Sequence, residues 1–222
     1  KQNIPEEISS LITEEEIIMF QELQIKIKEL NNKTNLTRLI NGDDYWVTQV
    51  FDSIWPFKTF QNINFDNKKF LDIGSGCGFP GLAYAITHPT SEIYLIDSSK
   101  KKTDALKSLI KEINFKNNIH VINARIENLA HQSSMRNSFD IATTRAVSNP
   151  STVSEYIIPM LKKEGLGVLY CGKWTDEDSK NLNKTLKILE GKVKDKKEIL
   201  LPRNKGTRNI ILIQPKNFCS EI

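Results

Sequence analysis

A short apolar run, Phe70-Leu71-Asp72-Ile73, passes directly into Gly74-Ser75-Gly76-Cys77-Gly78-Phe79-Pro80-Gly81, and no other stretch of the 222 residues restricts the fold as tightly. Four glycines in eight residues let the backbone reverse sharply and lie close to a ligand, because no Cβ intervenes. Pro80 suits the first turn of a following helix, where its missing N–H costs nothing. A strand, a glycine turn and a helix in that order place a ligand at the carboxyl ends of a parallel sheet.

The rest of the chain after Lys69 agrees with that beginning. Apolar runs at Phe70–Ile73, Ile93–Ile96, Ile119–Ile122, Phe139–Thr143 and Gly167–Tyr170 alternate with helical stretches, which predicts βαβ units and a sheet covered on both faces. Two late runs, Lys197–Leu201 and Ile210–Ile213, are too close together for a crossover helix and predict an antiparallel hairpin at the sheet edge. The expected fold is therefore α/β, a doubly wound and mostly parallel sheet of seven strands.

Residues 1–60 read differently. Thr13-Glu14-Glu15-Glu16 caps an amphipathic helix carrying Phe20, Leu23, Ile27 and Leu30, expected to end at Asn31-Asn32. A second helix is expected over Asp43–Trp55, stopped by Pro56. This quarter has no strands and is expected to dock as a helical extension on a domain spanning 61–222.

Composition excludes several classes. No apolar stretch approaches the roughly 20 residues of a membrane-spanning helix, and no charged start followed by an apolar run marks a secretory leader, so a cytoplasmic protein is expected. Cys77, Cys171 and Cys219 are too widely spaced for a disulfide framework or a zinc site, and His88, His120 and His131 lack helical ligand spacing, so no metal is expected. The net charge of +4 is unevenly spread: Lys184–Arg208 holds nine Lys or Arg against three Asp or Glu. That segment is either a phosphate-facing surface or a solvated lysine-rich edge.

Gly76–Gly81 also fits the G-x-G-x-x-G of dinucleotide enzymes, a weak signal alone. Asp72 favours S-adenosylmethionine, because a carboxylate there suits a methionine ammonium and repels a pyrophosphate; the alternative is a turn or helix cap. Asp97, ending the second strand, can accept both ribose hydroxyls under either cofactor. Ala124-Arg125-Ile126-Glu127 follows the third strand and offers a helix start to flank the adenine, with Arg125 left open between cofactor, RNA and plain surface.

Together these motifs resemble the RsmG (GidB) family of bacterial methyltransferases, which make N7-methylguanosine in 16S ribosomal RNA. The resemblance covers nearly the whole chain. It is carried by Asn35-Leu36-Thr37, Asp52-Ser53-Ile54, the glycine loop, Leu95-Ile96-Asp97-Ser98, Arg125-Ile126-Glu127, Thr144-Arg145-Ala146 and Arg208-Asn209-Ile210-Ile211. It implies a Rossmann-like class I methyltransferase fold and S-adenosylmethionine bound by Asp72, Gly74, Ser75, Gly76, Gly78, Phe79, Gly81, Asp97, Ser98, Arg125, Ile126, Glu127 and Arg145. Lys101, Lys173 and Arg208 are implied as RNA contacts, and Asn35, Arg145 and Lys173 as positioning residues. The implied partner is 16S ribosomal RNA or the small ribosomal subunit, met by a monomer. The family usually has His where Gln49 stands, Pro where Cys77 stands, and Lys-Gly where Lys173-Trp174 stands.

The chemistry is consistent with these residues. Guanine N7 carries a lone pair and no proton, so transfer needs alignment and no general base. Thr143-Thr144-Arg145-Ala146 lacks the Asp/Asn-Pro-Pro-aromatic tetrad of exocyclic-amine methylation, and Cys171 lacks the Pro-Cys setting of a C5-cytosine nucleophile, so it reads as packing. Two other classes remain: a nicotinamide-dependent oxidoreductase, and a non-catalytic RNA-binding protein with a vestigial cofactor fold.

Overall fold

The computed structural model describes residues 4–145 and 149–216; Ala146 and Cys219 lie outside the described residues. Five parallel strands, β1 (Lys69–Ile73), β2 (Glu92–Asp97), β3 (Ile119–Asn123), β4 (Phe139–Arg145) and β5 (Leu161–Cys171), are joined by β6 (Gly191–Leu200) and β7 (Thr207–Pro215) in the order β3-β2-β1-β4-β5-β7-β6. β7 runs antiparallel between β5 and β6, so the expected edge hairpin is present. The order reverses at β1 and β4, which opens the crevice of a doubly wound sheet there. The hairpin also turns the start of β7 toward the carboxyl end of the sheet, where Asn209 pairs with Cys171.

Period-two alternation in β1 divides the core. Phe70 faces one apolar layer, and Leu71 and Ile73 face the other. The first layer takes α5 (Gly81–Thr87) and α6 (Lys100–Glu112); Phe70 stacks on Tyr84 at 3.8 Å between ring centroids. The second takes α7 (Ile126–Ala130), α8 (Pro150–Ile157) and α9 (Asp176–Ile188).

The N-terminal helices close over the first layer. After α1 (Glu6–Ser9), α2 (Glu14–Thr34) begins with the expected capping box, in which Glu16 N–H donates to Thr13 Oγ1 at 3.2 Å and Thr13 N–H to Glu16 Oε2 at 2.7 Å. Phe20, Leu23 and Ile27 are buried in the same apolar cluster as Phe70, Leu106 and Leu109. Burial of this face at about 25 cal/mol per Å² outweighs the weak local preference of Asn31-Asn32 to stop the helix. The helix ends instead at Asn35, left-handed with φ 48°, whose N–H bonds Asn31 O.

Pro56 does not stop the second helix either. The segment is α3 (Gly42–Tyr45), a π-helical turn Trp46–Phe51 and α4 (Asp52–Thr59), with Pro56 inside α4. Pro56 has no N–H to donate to the Asp52 carbonyl, so one backbone bond is lost while the helix continues. A continuous α-helix over 43–55 was the expectation; the extra residue in the turn rotates α4 relative to α3, and Asp52 faces the sheet.

Candidate active site

Two adjoining cavities open at the carboxyl ends of β1, β2, β4 and β5, of about 630 and about 420 Å³. Gly74, Lys102 and Arg145 line both, which makes them the two halves of one cleft.

One wall is backbone. Gly74 N–H and Ser75 N–H both donate to Ile96 O, at 2.8 and 3.0 Å, and tie the turn to β2. Gly74, Gly76 and Gly78 have φ of 73°, 56° and 101°, values that a side chain disfavours. A Cβ on Gly76 would meet nothing closer than Gly74 O at 3.9 Å, so this residue borders open cleft. Gly78 and Gly81 point the other way: a Cβ would come within 2.4 Å of Leu82 Cδ1 at Gly78 and 2.3 Å of Leu95 Cδ2 at Gly81. The glycines therefore serve two ends, approach by a ligand and close packing of α5 on β2. Pro80 sits one residue before α5 rather than within its first turn, and the Phe79–Pro80 peptide is cis.

The two carboxylates of this wall differ. Asp97, ending β2, accepts Gly76 N–H at 3.0 Å and Ser99 N–H at 2.8 Å, and lines the smaller cavity. Each oxygen keeps a lone pair for a further donor. Asp72 is fully buried and lines neither cavity; Oδ2 accepts Gly81 N–H at 2.9 Å and Oδ1 accepts Thr143 Oγ1–H at 3.1 Å. It caps the start of α5 from beneath the loop, the capping role that its place in the sequence also allowed. Burial raises its pKa to about 6, against the lowering effect of those two hydrogen bonds and of Arg145.

The other wall is cationic. Arg145, at the end of β4, donates to Thr48 O at 3.0 Å and to Gln49 Oε1, and stands 3.5 Å from Asp52 Oδ2. Arg208, near the start of β7, grips Asp52 with two 2.7 Å bonds. Asp52 itself is fully buried, so both guanidiniums are fixed by one carboxylate. Tyr170 O–H donates to Ser53 O at 2.9 Å and holds α4 to β5. Asp52, Thr48 and Gln49 were not singled out as site residues by the sequence; the signal available was the Asp52-Ser53-Ile54 motif.

Several expected residues fall elsewhere. Lys101 is exposed and lines neither cavity, whereas its neighbour Lys102 lines both. Asn35 is an exposed helix-exit residue, and Leu36 and Thr37 reach the cleft in its place. Lys173 is exposed on the rim of the larger cavity. Phe79 also borders that cavity, and Ser98, Arg125, Ile126 and Glu127 border the smaller one. Burial pushes the Cys171 thiol up to about 12, so it is protonated at neutral pH and no nucleophile. The lysine-rich β6 is an edge strand; Lys197 in it donates to Thr59 O at 2.8 Å, and Lys205 in the turn to β7 pairs with Asp44 at 2.7 Å. Lysine there also protects an open edge.

A family model described as GidB, rRNA small subunit methyltransferase G, matches residues 16–209. The chain belongs to this family. It is 88% identical over all 222 residues to the ribosomal RNA small subunit methyltransferase G of Prochlorococcus marinus (strain MIT 9215), covering 94% of that protein. It is 42% identical over 208 residues to the protein of the same name from Prochlorococcus marinus (strain NATL1A), covering 93% of this chain and 84% of that one. Among solved structures, P. horikoshii TYW2 in complex with MeSAdo superposes with a TM-score of 0.59 at 13% identity, over 76% of this chain and 63% of that one. Aeropyrum pernix fibrillarin with natively bound S-adenosyl-L-methionine gives 0.50 at 14% identity, over 67% and 66%. These last two show the class I methyltransferase fold. Membership in the GidB family decides the cofactor question left by the glycine fingerprint: the chain is an S-adenosylmethionine-dependent methyltransferase of small-subunit ribosomal RNA. No helix of the described residues is long and apolar enough to cross a membrane.

Proposed function

We propose that the cleft transfers a methyl group to N7 of one guanosine of 16S ribosomal RNA, with the smaller cavity holding the adenosine half of the cofactor and the larger holding its methionine half and the base. The observation that carries this reading is the meeting of the glycine wall and the arginine wall at Gly74, Lys102 and Arg145. Asp97 takes the ribose hydroxyls, Ile126 packs on the adenine and the backbone of Gly74–Gly76 flanks the methionine. Asp72 works from below, holding the loop and adding negative potential toward the ammonium. Bound there, S-adenosylmethionine supplies an electrophilic methyl group.

The protein's own task is orientation. N7 bears no proton, so nothing along the cleft has to act as a base, and the Arg145 and Arg208 guanidiniums donate to guanine O6 or a flanking phosphate. Lys173 on the rim adds a phosphate contact. The protein works as a monomer in the cytoplasm, with a helical extension over 1–60 against a catalytic domain over 61–222, and takes the small ribosomal subunit as substrate.

The test is incubation of unmodified small subunits with labelled cofactor, followed by reduction and aniline cleavage. Scission at a single guanine is expected. Label recovered on adenine or cytosine overturns the proposal.

A further inference from the structure

Gln49 lies in the π-helical turn with 2% of its surface exposed. A buried primary amide has two donors and an acceptor oxygen to satisfy inside the protein. Here its two ends go to different walls of the cleft. Oε1 accepts from the Arg145 guanidinium, while Nε2 donates to Thr37 Oγ1 at 3.2 Å and toward Cys77 Sγ at 3.4 Å. Arg145 closes β4, Cys77 is a corner of the glycine loop and Thr37 follows α2, so one side chain touches three segments far apart in sequence. The same π-helical turn also presents the Thr48 carbonyl to Arg145 at 3.0 Å.

We infer that Gln49 is a positioning residue that sets the Arg145 guanidinium and the Cys77 corner of the glycine loop against each other, and so fixes the width of the larger half of the cleft. The inference rests on the cleft being the methyl-transfer site. The residue type matters: an amide accepts at one end and donates at the other, a carboxylate of the same length keeps the acceptor for Arg145 but has no donor for Cys77, and a thioether keeps neither. Gln49 touches no reacting atom in this scheme and acts through Arg145 and the loop.

Two variants of equal length separate the links, Gln49→Met and Gln49→Glu, with a readout independent of catalysis: the rate at which iodoacetamide alkylates Cys77, followed by mass spectrometry of its peptide. In Gln49→Met, kcat/KM for methyl transfer is expected to fall about tenfold, the size of one charge-assisted hydrogen bond, and Cys77 alkylation to rise by a similar factor. Gln49→Glu restores the acceptor for Arg145, so transfer recovers to within about threefold of the parent; alkylation is compared between the parent and Gln49→Met alone, because a carboxylate beside Sγ itself suppresses the thiolate. If Gln49→Met fails to fold, Thr37→Val removes one anchor of the amide at a partly exposed loop and is expected to speed Cys77 alkylation about threefold. Alkylation and kcat/KM within about twofold of the parent in the methionine variant, or unchanged alkylation in Thr37→Val, overturns the inference. A parent protein that transfers no methyl group defeats the proposed function instead, and leaves the alkylation result standing on its own.

Discussion

The two walls of the cleft are built in opposite ways. The glycine wall is backbone held by local contacts: Gly81 to Asp72 spans nine positions and Gly76 to Asp97 twenty-one. The arginine wall is side chains gathered from across the chain, with Arg145 and Gln49 separated by 96 positions and Arg208 and Asp52 by 156. A wall of the first kind fails by steric intrusion, and one of the second kind by loss of a charge partner. Single substitutions in each wall distinguish the two kinds of failure.

The largest effect belongs to the arginine wall. Asp52→Ala leaves the Arg145 and Arg208 guanidiniums, 14% and 18% exposed, without their shared carboxylate. Removing one member of a buried ion cluster costs on the order of 3–5 kcal/mol. Urea unfolding is expected to show a loss of that size, and a cycle with Arg208→Ala to show strong coupling. Additive single effects would mean that the carboxylate does not organise this wall.

Next comes Asp72→Asn, where pH supplies the test. The folded pKa of about 6 lies above the usual carboxylate value, so the protonated acid is favoured by folding and ionising it at neutral pH costs stability. The stability linked to that proton is present in full below about pH 4 and lost as pH rises through about 6. An amide cannot ionise and keeps an oxygen for Gly81 N–H and a donor for Thr143 Oγ1. Unfolding free energies of variant and parent are therefore expected to diverge between about pH 4 and 7 in favour of the variant, by up to ~3 kcal/mol. The same change removes negative potential beneath the loop, so the cofactor is expected to bind more weakly to the more stable protein. A constant difference across that pH range would place the carboxylate in a wetter setting than the structure gives it.

Gly81→Ala attacks the glycine wall. The added methyl would stand 2.3 Å from Leu95 Cδ2 and 2.9 Å from Asp72 Oδ2, and relief requires α5 to move off β2. Overpacking of this kind costs ~1–3 kcal/mol, and since it shifts the loop it should weaken S-adenosylmethionine binding by more than the stability loss suggests. Calorimetric titration checks this. Gly76→Ala, at a position facing open cleft but with φ 56°, is expected to cause no packing clash, to cost ~1 kcal/mol in backbone strain and to crowd the ligand.

These two walls also differ in how far the sequence reveals them. The strand, glycine turn and helix around Asp72 and Asp97 were legible because every constraint lies within about one βαβ unit. The edge hairpin was legible from the spacing of its two runs, and it carries Arg208 to the cleft. Asp52 and Gln49 were not, because their meaning depends on a π-helical turn that no local pattern announces. Pro56 and Asn31-Asn32 misled for a related reason: as local stop signals they were outweighed by burial of Phe20, Leu23, Ile27 and Ile54. Asp72 and Asp97 were both expected to contact the cofactor, and the alternation of β1 places the first under α5, away from the cleft.

The smallest effect tests the lysine run at the start of α6, Lys100-Lys101-Lys102, where the question is why Lys102 borders the cleft in place of the Lys101 that the resemblance implied. Helical spacing answers it: Lys102, Leu106 and Leu109 fall at i, i+4 and i+7, the latter two are buried, and Lys102 is drawn half-buried to the edge of the cleft. Lys101 lies on a neighbouring face of the helix, in solvent. Lys102→Ala is thus expected to raise the KM for S-adenosylmethionine about threefold, a partly solvated charge contact being worth under ~1 kcal/mol, while Lys101→Ala leaves it unchanged. The dependence of RNA binding on salt separates the possible partners of Lys102. A slope shallower by about one in log K against log salt in Lys102→Ala marks a lost phosphate contact. An unchanged slope with a raised cofactor KM marks a cation that serves the glycine wall, and that is the outcome expected from its contact with both cavities beside Gly74.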